Sequence, residues 1–389
     1  MIYLDYAATT PLDARVLDAL LPYFSGDFGN PSSTHRYGQR AEAAVETARE
    51  TLAAILHCRP AELIFTSCGS ESDNLALRGT ALARRAQTGA NRIVTSRSEH
   101  HAISRTATAL EKDHGFQLDW LESDATGQIS AASVEKVLSQ DTALVSVMYS
   151  NNEIGTINPL REISGLCRKR GIPLHTDAVQ AAAYLPINVD DLGVDLLSLG
   201  AHKFYGPKGI GALYIRQGTP IQPTQTGGGQ EFGLRAGTHN VPLIVGLAEA
   251  LRLADAEREA RCAHLRPLRD RIIGTVLEEI PEARLTGHPA LRVPNHASFV
   301  FKNLDGNLLV NLLDSAGFAC SSGSACKTGN PEPSEVLTSL GLERDWALGS
   351  LRVTLGTGTT PGQVESFLSA LPGLVEKARA LTSLPGRGA

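Results

Sequence analysis

The sequence predicts an α/β protein: a mainly parallel central sheet flanked by helices, with a smaller α+β part towards the C-terminus. Two observations carry this. Short apolar runs alternate with helical stretches from residue 40 to residue 176, and strands separated by helices need crossover connections, which set parallel strands side by side and cover both faces. The alternation then gives way near residue 242 to a long charged helical stretch, followed by fewer and more widely spaced strands.

The first element is a helix over 40–57, where Ala41, Ala44, Val45, Ala48, Leu52, Ile55 and Leu56 share one face. Pro60 follows it, and the apolar run ELIFTS at 62–67 reads as a strand. Helices are expected at 71–87, 100–113, 130–139 and 160–170, with strands at 92–96, 117–122, 142–149 and 172–176. After VDLLSLGAHK and the glycine-rich GPKGIGALYI comes the helical stretch 242–280, and HASFVF at 296–301 and SLRVTLG at 350–356 are strands of the second part. A chain of 389 residues exceeds the size at which one core stops growing. Two domains are therefore expected, residues 1–255 and 256–389, divided inside the long helix. No internal repeat is seen, and the tail SLPGRGA is expected to fray.

A hydrophobic content of 42%, 20% charged residues and a net charge of -5 describe an ordinary globular chain. With 36 Lys and Arg against 41 Asp and Glu, no basic excess exists to neutralise a nucleic acid. MIYLDYAATTPLD has neither the basic start nor the apolar centre of a signal peptide, and no apolar run approaches a membrane span. A cytoplasmic protein with no membrane partner is expected. Its six cysteines show no pair of CxxC motifs, so reduced thiols and no metal site are expected, with Cys167 serving packing.

Ligands of open parallel sheets collect beyond the carboxyl ends of the strands, and four polar clusters fall there. TSCGSESDN at 66–74 joins a strand to a helix; its small residues permit close backbone approach, and free amides there favour an anion. Ser70 or Ser72 as a plain helix cap reads the stretch equally well. No Walker A lysine follows, and GPKGIG does not match GxGxxG, so a nucleotide reading is weak. SEHHA at 98–102 opens a helix with His100, which serves structure or chemistry. HTDAVQ at 175–180 sets Asp177 where it caps a helix or meets a cationic ligand group. LGAHKFYGPKG at 199–209 ends a strand with Lys203, either solvated or poised to form a Schiff base. Together, an anion cradle, a histidine, an acid and an amine are the parts a pyridoxal phosphate site requires. A fifth stretch, CSSGSACKTGN at 320–330, puts Cys326 in a polar glycine-rich run, as an incidental thiol on a turn or as a sulfur free to move and react.

These motifs resemble the cysteine desulfurases of the NifS and IscS group, among the class V, fold-type I pyridoxal phosphate enzymes. The resemblance runs through YLDYAATTPLD, FGNPSSTHRYGQ, FTSCGSESDNLA, SEHHAI, NNEIGTINP, HTDAVQ, AHKFYGPKGIGALY, GGGQEFGLRAGTHN, SSGSAC and SLRVTLG, in that order. It implies that Lys203 bonds the cofactor's aldehyde, Asp177 pairs with the ring nitrogen, Gln180 bonds the ring hydroxyl, and His100 stacks on the ring and moves protons. It further implies that Gly69, Ser70 and His202 hold the phosphate and that Thr238 reaches the cofactor phosphate of a neighbouring subunit, making a homodimer. Asn152 and Arg352 would orient the substrate, L-cysteine, Arg352 by pairing with its carboxylate. Cys326 would be the nucleophile on a mobile loop, accepting sulfur as a persulfide and passing it to an acceptor protein. Iron-sulfur cluster assembly and other sulfur deliveries are served by enzymes of this look. The extreme N-terminus is expected to pack on the smaller domain. Cys320 reads as a small buried residue rather than a relay thiol. Two positions depart from the group's pattern: Gly200 stands where a serine-like donor is usual, and Thr357 where arginine is usual. Selenocysteine lyase or aminotransferase chemistry, and a scaffold without turnover, are the rival readings.

Overall fold

The computed structural model describes residues 1–323 and 332–383. Its strands, in chain order, are β1 (Ile2–Tyr3), β2 (Leu63–Thr66), β3 (Arg92–Ser96), β4 (Gln117–Leu121), β5 (Thr142–Ser146), β6 (Leu174–Asp177), β7 (Leu196–Gly200), β8 (Gly211–Ile215), β9 (Ala283–Leu285), β10 (His296–Phe301), β11 (Phe318–Ala319) and β12 (Ser350–Thr354). A seven-stranded sheet in the order β2-β8-β7-β6-β5-β3-β4 forms the centre. Within it β4, β3, β5, β6 and β7 pair in parallel, and β8 is antiparallel to both β7 and β2. Every strand except β8 therefore points its carboxyl end to the same edge.

Successive side chains of a strand face opposite ways, and both faces here are apolar. In β2, Leu63 and Phe65 join one core while Ile64 joins the other. That double burial explains why ELIFTS, a run with little alternation, is a strand and not half of an amphipathic element. The helix read as 40–57 spans Arg36–Leu56, and the expected face carries Ala41, Val45, Ala48, Leu52 and Leu56 into the core. The long stretch 242–280 is one helix, Val241–Glu279, opened by Asn240, whose side chain accepts from the Leu243 amide, with proline in the first turn. This helix packs along both Arg36–Leu56 and the helix Pro361–Thr382.

The expected helix 71–87 is not uniform. Gly69–Asn74 is α-helical, Leu75–Gly79 widens into a π turn, and Thr80–Thr88 resumes the α-helix. At Gly79 a β-carbon would lie 2.6 Å from the carbonyl oxygen of Gln222 and 2.7 Å from Ile221. The neighbouring irregular segment at 221–222 thus presses on the bare backbone, and that tertiary contact has no local signature.

Beyond the long helix, β12, β10 and β9 form an antiparallel sheet. β1 runs parallel to β11 in the same part of the molecule, with the amide of Leu4 donating to the carbonyl of Ala319 at 2.8 Å. The chain then crosses towards the large sheet, where the Thr10 amide donates to the carbonyl of His202 at 2.9 Å. Among the described residues no helix is long and apolar enough to cross a membrane. The tail from 384 onward lies outside the described residues.

Candidate active site

Because the parallel strands share one edge, the segments that follow them converge. Gly69 and Ser70 follow β2, His100 follows β3, Asn152 follows β5, Asp177 ends β6 and Lys203 follows β7. With Gln180, His202 and Arg352 they line a single cavity of about 350 Å³, joined by Ala7, Ala8, Cys68, Asp73, Met148 and Val179. The residues singled out at four separate places in the sequence are thus neighbours.

The chain leaves β7 in one tight turn, Ala201–Lys203, which returns the lysine over the strand end. Its Nζ donates to the carbonyl oxygens of Ala7 at 2.6 Å and Ala8 at 2.7 Å. Burial, helped by Arg352, pulls the amine down to about 8, against the pull of Asp177 and Asp5. A sizeable fraction is then the neutral nucleophile near neutral pH. Asp177 accepts from the Val179 amide at 2.8 Å. Burial pushes its carboxyl up, while that amide, His100 and Lys203 pull it down. A carboxylate so short of water favours a cation beside it.

His100 caps the helix His101–His114, its Nδ1 accepting from the Ala102 amide at 3.1 Å. Burial lowers its pKa, so the ring is neutral and, with Nδ1 accepting, its hydrogen sits on Nε2. Capping and cavity lining are therefore not alternatives, and the cap sets which nitrogen carries the proton. His202 is likewise held neutral, pulled to about 4 by burial and then by Lys203 and Lys208, and its Nδ1 pairs with the Thr9 hydroxyl at 3.1 Å. Gln180 donates through Nε2 to the Ala7 carbonyl at 2.9 Å.

Arg352 reaches the cavity from β12. Its Nη1 donates to the carbonyl of Asn152 at 3.0 Å and its Nη2 to Asp5 at 2.9 Å. Its Nε is buried without a hydrogen-bond partner, as are Asn152 Oδ1 and Asp73 Oδ1. Buried polar atoms are ordinarily paired; these three belong to residues that line the cavity. A β-carbon at Gly69 would stand 2.7 Å from Val179 Cγ2, leaving the helix start bare where it meets the cavity. Gly200 lies behind it, its missing β-carbon 3.4 Å from the Gly69 amide nitrogen, so the hydroxyl absent there would have pointed at that helix start. A reactive amine, a buried acid, a histidine and a glycine-walled helix start around a cavity of this volume fit pyridoxal phosphate.

Thr238 is exposed and lies outside the cavity of its own chain. Cys326 lies outside the described residues. Cys320 is buried in the core, where desolvation raises its thiol pKa. Thr357 donates its amide to the Tyr205 hydroxyl at 2.8 Å. Sequence reasoning missed Asp73, Asp5 and the Ala7 and Ala8 carbonyls. Asp73 sat within a polar cluster already singled out, whereas main-chain carbonyls leave no residue-type signal.

The aminotransferase class-V family model matches residues 2–367. A cysteine desulfurase IscS of Dictyoglomus turgidum is 44% identical over 381 residues, covering 98% of this chain and 96% of that protein. A solved NifS-like protein superposes with a TM-score of 0.89 at 35% identity, covering 97% of this chain and 99% of its own. A structure of SspA in complex with cysteine superposes with a TM-score of 0.79 at 34% identity, covering 92% of this chain and 100% of its own. Fold, cavity and relatives agree: the chain belongs to the aminotransferase class-V family of pyridoxal phosphate enzymes, in its NifS and IscS cysteine desulfurase group.

Proposed function

We propose that the protein takes sulfur from L-cysteine, releases L-alanine, and carries the sulfur as a persulfide on Cys326 to an acceptor protein, for iron-sulfur cluster assembly or other sulfur delivery. The observation that carries this reading is the meeting of Lys203, Asp177 and His100 in one cavity that Arg352 and Asn152 also line. When bound, pyridoxal phosphate supplies an electron sink for the pair left at the substrate's α carbon. Asp177 would face the ring nitrogen, Gln180 the ring hydroxyl and His100 the ring face, with Gly69, Ser70 and His202 at the phosphate. Lys203 is the amine for the aldehyde, and its Nζ, with a pKa of about 8, is suited to take the α proton and return it. Arg352 would exchange Asp5 for the substrate carboxylate, oriented further by Asn152.

In the sulfur step the Cys326 thiolate attacks the substrate sulfur; an S–S bond forms, the C–S bond breaks, and its electron pair stays on carbon, which is then protonated towards alanine. Thr238 would reach the cofactor phosphate held by a second copy, which makes the working unit a homodimer. The same reading places the enzyme in the cytoplasm without membrane or nucleic-acid partners, and divides it into a cofactor domain, 1–255, and a smaller domain, 256–389, that carries the Cys326 segment.

The deciding experiment is Cys326→Ala. The variant is expected to keep the yellow cofactor band and to yield no alanine from cysteine, while the native enzyme shows stoichiometric persulfide; full turnover by the variant overturns the reading. Alanine with persulfide also separates this activity from other class V reactions, which need no thiol of the protein.

A further inference from the structure

The carboxylate of Glu153 lies between the two described stems that flank Cys326. On the later stem, Ser334 donates its hydroxyl to Glu153 Oε2 at 2.5 Å. The same Ser334 oxygen accepts from the amides of Val336 and Leu337, at 3.1 and 3.5 Å, as the cap of the helix Glu335–Ser339. Its only hydrogen is therefore committed to Glu153. On the earlier stem, Gly323 has no room for a side chain: a β-carbon would stand 2.9 Å from Glu153 Oε2 and 3.3 Å from Ser334 Cβ. Gly323 is fixed in turn by its amide, which donates to the Ser350 hydroxyl at 3.0 Å, two residues before Arg352 on β12.

Glu153 is itself held by the turn that carries Asn152. The Glu153 and Ile154 amides donate to Asn151 Oδ1 at 2.8 and 3.0 Å, and Asn151 Nδ2 donates to the Ser98 carbonyl at 2.7 Å, two residues before His100. The carbonyl of Asn152 receives Arg352 Nη1 at 3.0 Å. One short turn of the large-sheet part thus meets the stems on one side and the substrate-facing arginine on the other.

We propose that Glu153 is a positioning residue for the sulfur step, bonding the later stem of the Cys326 segment through Ser334 and packing against the earlier one at Gly323, beside the Asn152–Arg352 end of the cavity. The proposal rests on the desulfurase reading above. It assigns Glu153 no contact with substrate or cofactor. Groups facing the carboxyl are Ser334, the Gly323 stem, Arg352 and Glu335; burial raises its pKa, and Ser334 and Arg352 lower it.

The test compares Glu153→Ala, Glu153→Gln and Gly323→Ala with the native enzyme. Steady-state alanine release gives kcat and KM, and the alkylation rate of Cys326 by iodoacetamide is followed by peptide mass spectrometry without substrate. Glu153→Ala is expected to lower kcat about tenfold, leave KM for cysteine within about threefold, retain the cofactor band and change the Cys326 alkylation rate at least about threefold. Glu153→Gln keeps an acceptor for Ser334 and is expected to restore both readouts to within about threefold. Gly323→Ala pushes a methyl group against the carboxylate and is expected to reproduce the alanine variant should that one fail to fold. Native alkylation and native kcat in Glu153→Ala overturn the proposal, as does a rise confined to KM. Absence of alanine and persulfide from the native enzyme instead overturns the desulfurase reading.

Discussion

Arg49 and Glu231 form a buried charge pair away from the cavity, with their hydrogen bonds met inside the protein. Glu231 Oε1 accepts from Arg49 Nη2 at 2.8 Å and lies 2.6 Å from His239 Nε2; Oε2 accepts from Arg49 Nη1 at 3.0 Å and from the Phe65 amide at 2.7 Å. Arg49 also donates to the Leu63 carbonyl at 2.6 Å, and its guanidinium lies over the Phe65 ring. These bonds hold Glu231 and Phe232 at φ of 49° and 56°, a region costly for residues with side chains. The cavity wall also buries Asp73, Asp177, Lys203 and Arg352, but there Asp73 Oδ1, Asn152 Oδ1 and Arg352 Nε have no hydrogen-bond partner. Buried charge alone does not separate a structural cluster from a site; the convergence of an amine, an acid and a histidine from separate strand ends on one cavity does.

Substitutions can break that contrast, and the largest effect belongs to the cavity. Lys203→Ala is expected to lower alanine release by at least about a thousandfold and to abolish the absorbance of covalently held cofactor. A normal cofactor spectrum in this variant would remove Lys203 from its role. The next effect belongs to the saturated cluster. Arg49→Ala leaves Glu231 charged and buried, and denaturant unfolding is expected to show a loss of about 3–5 kcal/mol, with the cofactor band of the folded fraction retained. Lost cofactor without lost stability would move that cluster into the site.

The smallest effect sharpens the comparison through pH. Burial first, then Asp177, holds the Asp73 carboxyl well above its ordinary range. A raised carboxyl binds its proton more tightly when folded, so its contribution is complete below the unfolded value of about 3.9 and is lost as pH rises towards the folded one. Asp73→Asn mimics the protonated form. Its denaturation curves are expected to match the native protein within about 1 kcal/mol at acid pH and to lose less stability as pH rises. Parallel curves for the two proteins across that range would place the proton elsewhere.

How far the site could be read in advance follows from the same geometry. The strand alternation alone predicted that Gly69, His100, Asp177 and Lys203 share an edge, because parallel strands bring their following segments together whatever those segments contain. It could not supply the N-terminal contribution. Ala7 and Ala8 act through main-chain oxygens, and Asp5 reaches Arg352 across a sequence separation of 347. The π turn at Leu75–Gly79 was hidden for a related reason, since the segment at Ile221 and Gln222 dictates it. Single-residue readings also treated structure and chemistry as rivals at His100, where one ring caps a helix and lines the cavity.

That N-terminal crossing has a consequence for how the enzyme is born. Residues 2–8 are made first, yet their partners are Gly317, Ala319, Thr354, Arg352 and Lys203. A nascent chain therefore cannot complete the surroundings of its reactive amine until β12 has left the ribosome, and closure of such distant contacts is slow. Until that moment the amine lacks the neighbouring arginine that, after burial, helps to lower its pKa.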